Sequence, residues 1–326
     1  MFIPYPIKVK PVLKEKPWGG NRLNKYFNFN KNKKIGEVWL FADQKENKSV
    51  IINGFYKNKL LSQIYKKYSK EMLGTKVANK YKNGFPILLK FIEASEDLSI
   101  QVHPDDKFAK ENENSYGKTE SWYILDCKKN SKILLGCKKN FNLDLIKKAI
   151  ISGKKIVSML KIYFTKKNDC YFIPAGTLHS LMSGNLILEV QQNSDITYRV
   201  YDWDRLINGK SRELHIEKAL LSLKNSYLAG RVKKKVLLKN KDIKINRLIK
   251  CKYFNLSEII IEKNTQKWYN IKNAFILIVI EGKLNIIYKN KIYKLKSGES
   301  VFLPFKIGEF LIKTPVKTKC ISIEIK

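Results

Sequence analysis

Ala274-Phe-Ile-Leu-Ile-Val-Ile280 runs through Glu281-Gly282 into Lys283-Leu-Asn-Ile-Ile-Tyr288, turns at Lys289-Asn-Lys291, passes Leu295-Lys-Ser-Gly-Glu299 and ends in Val301-Phe-Leu-Pro304. β-Branched and aromatic runs stopped by Gly, Asn or Pro read as short strands joined by tight turns. The same pattern appears in Phe254-Asn-Leu-Ser-Glu-Ile-Ile-Ile261, in Ile35-Gly-Glu-Val-Trp-Leu-Phe-Ala42 and through most of Phe85 to Gln192. Many short strands in series predict a mainly β protein built as a sandwich or jelly roll. Helical spacing interrupts it in three places. Residues 58–82 carry Leu60, Leu61, Ile64, Tyr65, Tyr68 and Met72; a second helix covers about 141–152, with Asn142 as N-cap and Gly153 beyond its end; a third covers about 213–224. A lysine-rich linker after Ala229-Gly-Arg231 divides the chain into 1–230, with a helical insertion near 58–82, and 231–326.

Composition narrows the function classes. Hydrophobic residues make up 44% of 326, enough for a substantial core. The net charge of +35 sets 58 lysines and six arginines against 29 acidic residues, and the lysines are spread along the chain among asparagine and isoleucine. A nucleic-acid face concentrates its basic residues and uses arginine for bidentate contacts, so no nucleic-acid partner is expected. The charge is expected to steer small anions towards the protein. The five cysteines form no Cys-x-x-Cys pair, the N-terminus lacks a signal-like apolar run, and no stretch reads as a membrane span. These features predict a cytoplasmic protein with reduced thiols, no membrane partner, and a monomeric or weakly homo-oligomeric state.

Only three histidines occur, and two keep polar company. In Leu98-Ser-Ile-Gln-Val-His-Pro-Asp-Asp106, strand parity puts Leu98, Ile100 and Val102 on one face and Ser99, Gln101 and His103 on the other. Lys118, Glu120 and Trp122 share a face of a second strand, and Glu189 shares one with Ile187 and Gln191 on a third. Extended chain beyond Gln192 would carry Asp195, Thr197 and Arg199 on that same face. Lys90 lies between Leu89 and Phe91. Singly, each residue reads as a cap, a solvated strand face or a surface ion pair. Together, two imidazoles, a carboxylate and an amide oxygen suit a divalent ion: zinc, manganese, iron or cobalt. His215 sits at a predicted amphipathic helix and reads as structural.

Pro174-Ala-Gly-Thr-Leu-His179 is similar to the second motif of cupins, and Leu98-Ser-Ile-Gln-Val-His-Pro-Asp105 resembles the signature of type I phosphomannose isomerases in their short bacterial form. Pro17-Trp-Gly-Gly20, Gly36-Glu-Val-Trp39, Gly117-Lys-Thr-Glu-Ser-Trp122 and Asp195-Ile-Thr-Tyr-Arg-Val-Tyr-Asp202 follow the family's order. The resemblance implies two cupin-like jelly-roll barrels with a few inserted helices, the second without a metal site, since no histidine follows His215. It implies a metal-dependent aldose–ketose isomerase that interconverts mannose 6-phosphate and fructose 6-phosphate through an enediol. One Zn2+ per chain would be held by Gln101, His103, Glu120 and His179. Arg199, Lys118 and Glu189 would be catalytic, and Ser99, Lys90, Asp195 and Arg205 would contact the anionic sugar phosphate. An iron-dependent cupin oxygenase and a non-enzymatic sugar-binding cupin are the competing expectations.

Overall fold

The computed structural model describes residues 1–30, 32–82, 84–138, 142–224 and 228–326. The chain is mainly β and forms two compact units. One comprises Leu13–Trp39 and Leu88–Val232; the other comprises Met1–Val12, Leu40–Ile87 and Lys233–Lys326. The change of unit after Val232 lies close to the linker read from the sequence. The N-terminal part behaves differently from a single stretch ending at 230, because residues 1–12 and 40–87 fold with the C-terminal strands. The local cause is pairing and packing around Phe302. Ile7 and Phe302 exchange backbone hydrogen bonds of 2.9 and 2.8 Å, and the Phe85 ring meets the Phe302 ring edge-on at 5.3 Å. The helices of the 58–82 region, Leu61–Leu73 and Thr75–Ala78, belong to this same unit.

In the unit holding both polar-strand histidines, seven strands lie in the order Val12–Gly20, Ile35–Leu40, Ile87–Glu93, Asn185–Gln192, Glu120–Cys127, Cys170–Ile173, Gly230–Arg231. A second sheet has the order Tyr198–Tyr201, Ile100–Val102, His179–Leu181, Lys132–Cys137, Leu160–Phe164. Ile100 and Val102 behave as parity predicts, but Leu98, which precedes strand Ile100–Val102, packs in a separate cluster with Trp122 and Ile187. Ile100 and Val102 are fully buried in a cluster with Ile146, Ala149 and Ile150 of helix Leu143–Ile151 and Ala219 of helix Ile216–Ser222. Helices therefore cover that face, and Gln101 and His103 project from the opposite one. Asn142 caps its helix by accepting from the Leu145 N–H at 2.8 Å; position 141 lies outside the described residues. A helix not read from the sequence, Asp106–Glu113, starts directly after His103-Pro-Asp, with Asp105 accepting from the Phe108 N–H at 2.9 Å.

The other unit pairs a six-stranded sheet (Lys235–Lys239, Ile243–Lys250, Phe254–Ile261, Thr318–Ile325, Phe275–Glu281, Ser300–Leu303) with a four-stranded one (Thr265–Asn270, Glu309–Thr314, Lys283–Tyr288, Lys291–Lys296). No helix among the described residues is long and apolar enough to cross a membrane, and all five cysteines are free thiols.

Candidate metal centre and active site

Sheet register brings the sequence-predicted ligands together. Gln101 pairs with His179 across neighbouring strands, and Arg199 pairs with Gln101 on the other side, so the three share one row of the five-stranded sheet. Glu120 comes from the seven-stranded sheet, opposite Gln191. Two turns set the histidines. Gly176 has φ +85 and donates its N–H to the His103 carbonyl at 2.8 Å; a Cβ there would lie 2.7 Å from the Lys224 side chain. Gly117 passes so close to the start of helix Asp106–Glu113 that a Cβ would sit 2.5 Å from the Asp105 backbone, and the next residue, Lys118, donates its N–H to the Pro104 carbonyl at 3.0 Å.

The ligand atoms of His103, Glu120 and His179 all lie within 4.8 Å of one another, and all three residues are buried. His103 Nδ1 donates to the Ile196 carbonyl at 2.8 Å and His179 Nδ1 to the Thr177 carbonyl at 2.9 Å, which assigns the proton to Nδ1 in each ring. Both Nε2 lone pairs then face Glu120, at 3.4 and 3.2 Å. Burial, then the Lys118 charge, holds the His103 imidazole well below its usual range, so it is neutral, as a ligand requires. Burial opposes ionisation of Glu120, but the Lys118 charge beside it outweighs this, and the carboxyl is held well below the usual range. Neither Glu120 oxygen has a well-formed hydrogen bond among the described residues, although Lys118 Nζ lies 3.3 Å from Oε2 and 3.1 Å from His103 Nε2. A buried carboxylate with this little hydrogen bonding is costly unless a cation accompanies it. The Gln101 amide lies against His179 Nε2 at 3.3 Å, where a rotation of the amide would present its oxygen instead. Two imidazole nitrogens, one carboxylate and one amide fit a divalent ion.

A second row crosses adjacent strands of the seven-stranded sheet: Glu37, Lys90, Glu189 and Trp122. Lys90 Nζ lies 3.9 Å from Glu37 and 3.5 Å from Glu189, and 4.8 Å from the Trp39 ring centroid. Glu37 accepts from Trp39 Nε1 at 2.6 Å and Glu189 from Trp122 Nε1 at 2.8 Å. The two carboxyls differ. Burial pushes Glu37 up, but Lys90 and Lys16 more than reverse it, so it is held below its usual range; burial and the Glu120 charge push Glu189 up. Glu37 is a site residue that sequence reasoning missed. Its signal was present in Gly36-Glu-Val-Trp39, where it shares a strand face with Trp39.

The remaining expected residues are less uniform. Ser99 is buried and its hydroxyl lies 3.4 Å from Gln101 Oε1. Arg199 Nη1 donates to the Glu213 carbonyl at 2.6 Å, and its buried Nε has no hydrogen-bond partner among the described residues. Arg205 is tied to the Asp97 carbonyl, lies 3.8 Å from Glu96, and keeps a buried Nη1 without a hydrogen-bond partner among the described residues. Asp195 is exposed. Its strand stops at Gln192, and the chain then crosses to the other sheet, which resets the parity that placed it beside Glu189.

Residues 7–133 match the phosphomannose isomerase type I catalytic domain, and residues 244–323 match the mannose-6-phosphate isomerase cupin domain. Mannose-6-phosphate isomerase ManA of Bacillus subtilis is 34% identical over 313 residues, covering 94% of this chain and 96% of that protein. A mannose-6-phosphate isomerase of Streptococcus mutans is 32% identical over 301 residues, covering 92% of each. The crystal structure of the mannose 6-phosphate isomerase from Bacillus subtilis superposes with a TM-score of 0.88 at 35% identity, covering 98% of this chain and 99% of that one. With relatives above 30% identity along nearly its whole length and both domain types in order, the chain belongs to the type I phosphomannose isomerase family.

Proposed function

We propose that this protein interconverts mannose 6-phosphate and fructose 6-phosphate, using one divalent ion, zinc, held by His103, His179, Glu120 and Gln101. The observation that carries the proposal is the buried Glu120 carboxylate, poorly hydrogen-bonded and faced by two imidazole lone pairs. The bound ion supplies Lewis-acid polarisation of the sugar oxygens. The protein's own groups do the rest. Moving a proton between C1 and C2 through an enediol needs a base close to the sugar and positive charge where the oxygen becomes anionic. Glu189 is the base: burial raises its pKa towards the working range, and Trp122 fixes one of its oxygens. Lys118 and Arg199 offset the developing oxyanion, each contributing on the order of 10²–10³-fold if well placed. Lys90 is shared between two carboxylates, so it serves the site chiefly by fixing Glu189. Phosphate recognition falls to Ser99 and to Arg205, which is anchored beside the start of the ligand strand through Asp97.

A coupled assay on mannose 6-phosphate, run on chelator-treated and metal-reloaded protein, tests the proposal. Turnover is expected only after reloading; full turnover by metal-free protein would refute the metal's role, and no turnover of either sugar phosphate after reloading would refute the substrate.

A further inference from the structure

We infer that His215, the one histidine outside the metal centre, is a positioning residue that holds Arg199 in place. The inference rests on the proposed role of Arg199 at the oxyanion. Strand Tyr198–Tyr201 is the edge of the five-stranded sheet, and at Arg199 His215 stands where a further strand would pair. The Arg199 N–H donates to His215 Nδ1 at 3.3 Å, and the His215 N–H donates to the Arg199 carbonyl at 2.8 Å. One residue thus satisfies both edge groups of Arg199. The same segment grips the side chain, because Arg199 Nη1 donates to the Glu213 carbonyl at 2.6 Å.

The ring is set from several elements. With Nδ1 accepting, the proton is on Nε2, which lies 3.9 Å from Glu213 Oε2. The imidazole packs 6.2 Å from the Tyr198 ring; the Tyr198 hydroxyl donates to Glu113 at 2.8 Å, and Lys218 of helix Ile216–Ser222 donates to the same carboxylate at 2.8 Å. Arg199 is in register with Gln101, which is in register with His179. A slip of the 213–215 segment would therefore displace the guanidinium relative to the ligand row. Its buried Nε has no hydrogen bond among the described residues to hold it. A displacement near 1 Å in a positioned catalytic group costs on the order of 10²-fold in rate, and a partial slip costs less.

The test uses the full-length, metal-loaded protein with three substitutions at 215 and one at 199. His215→Leu removes the Nδ1 acceptor and is expected to lower kcat about 10-fold with KM little changed. His215→Asn places an amide oxygen where Nδ1 stood and is expected to restore kcat to within about 3-fold of the parent. His215→Gln carries its oxygen one bond further out and stays slow; if the leucine variant does not fold, the Asn and Gln pair decides. Arg199→Ala, measured in parallel, is expected to lower kcat by about 10²-fold or more. Full kcat in Arg199→Ala would overturn the reading of Arg199 and this inference with it. Loss of kcat in Arg199→Ala with Asn and Gln variants equally active, or equally slow, would overturn the role of His215 alone.

Discussion

The two units bury polar groups to opposite effect. In the Leu13–Trp39 and Leu88–Val232 unit, Glu37, Lys90, Glu120, Glu189, His103 and His179 are all buried, and the Glu120 oxygens are left poorly hydrogen-bonded. In the other unit, Ile276, Ile278, Leu284, Ile286, Phe302, Ile321 and Ile323 are buried on its strands, and Glu258 is the buried carboxylate among the described residues there. Glu258 receives Lys234 Nζ at 2.9 and 3.0 Å and Asn246 Nδ2 at 3.0 Å. Its charge is met from within the chain, so it calls for no added ion. Two antiparallel two-sheet cores thus differ less in fold than in how a buried carboxylate is satisfied: Glu258 accepts hydrogen bonds from Lys234 and Asn246, whereas Glu120 has the Lys118 charge at 3.3 Å and two imidazoles that face it with lone pairs rather than donors.

The largest expected contrast comes from one substitution in each unit. Glu120→Gln keeps the shape but removes the charge; steady-state kinetics are expected to show a loss of about 10³-fold or more in kcat, with metal content falling alongside. Lys234→Ala should leave kcat unchanged and lower unfolding free energy by roughly 1–2 kcal/mol in urea, the cost of weakening the partners of a buried carboxylate. Next comes Lys90→Met, which leaves Glu37 and Glu189 buried without their shared cation. We expect kcat/KM to fall by about 10²-fold and stability by roughly 3–5 kcal/mol, read by kinetics and denaturation on the same preparation.

Ligand linkage gives a smaller effect. Metal at about 100 times its Kd should stabilise the parent by about 2.7 kcal/mol in thermal unfolding, and Glu120→Gln should show almost none of it. The smallest belongs to the other unit. Burial pushes the Cys320 thiol up to about 12 from 9.0. A raised pKa favours the protonated native thiol, so this contribution is intact below pH 9 and is lost as pH rises towards 12. By pH 10.5 the loss should be about 2 kcal/mol relative to Cys320→Ala, measured by paired urea titrations.

What could be read from the sequence follows from the range of each signal. Strand parity is local, so it placed Ile100 and Val102 in the core and Gln101 and His103 on the site face. It failed at Asp195, because a change of sheet after Gln192 resets the alternation. The Glu37–Lys90–Glu189 row was not legible, since it depends on the spatial order of strands far apart in sequence. Lys90 between two apolar neighbours looks like a solvated position until Glu37 and Glu189 are seen beside it. The short helix Asp106–Glu113 was hidden for another reason: only its cap, Asp105, is a strong local signal, and its body is polar. The membership of residues 1–12 and 40–87 depends on the pairing of Ile7 with Phe302, which no local pattern reveals.

On the proposed assignment, Glu120, His103 and His179 hold one metal ion on which turnover depends. Elemental analysis of the dialysed protein, paired with turnover of mannose 6-phosphate across a titration of added zinc, measures that dependence. Activity should rise in proportion to bound metal and level off at one equivalent per chain, and His179→Ala should neither bind nor turn over. Full turnover with far less than one equivalent bound, or unchanged metal binding in His179→Ala, would contradict it.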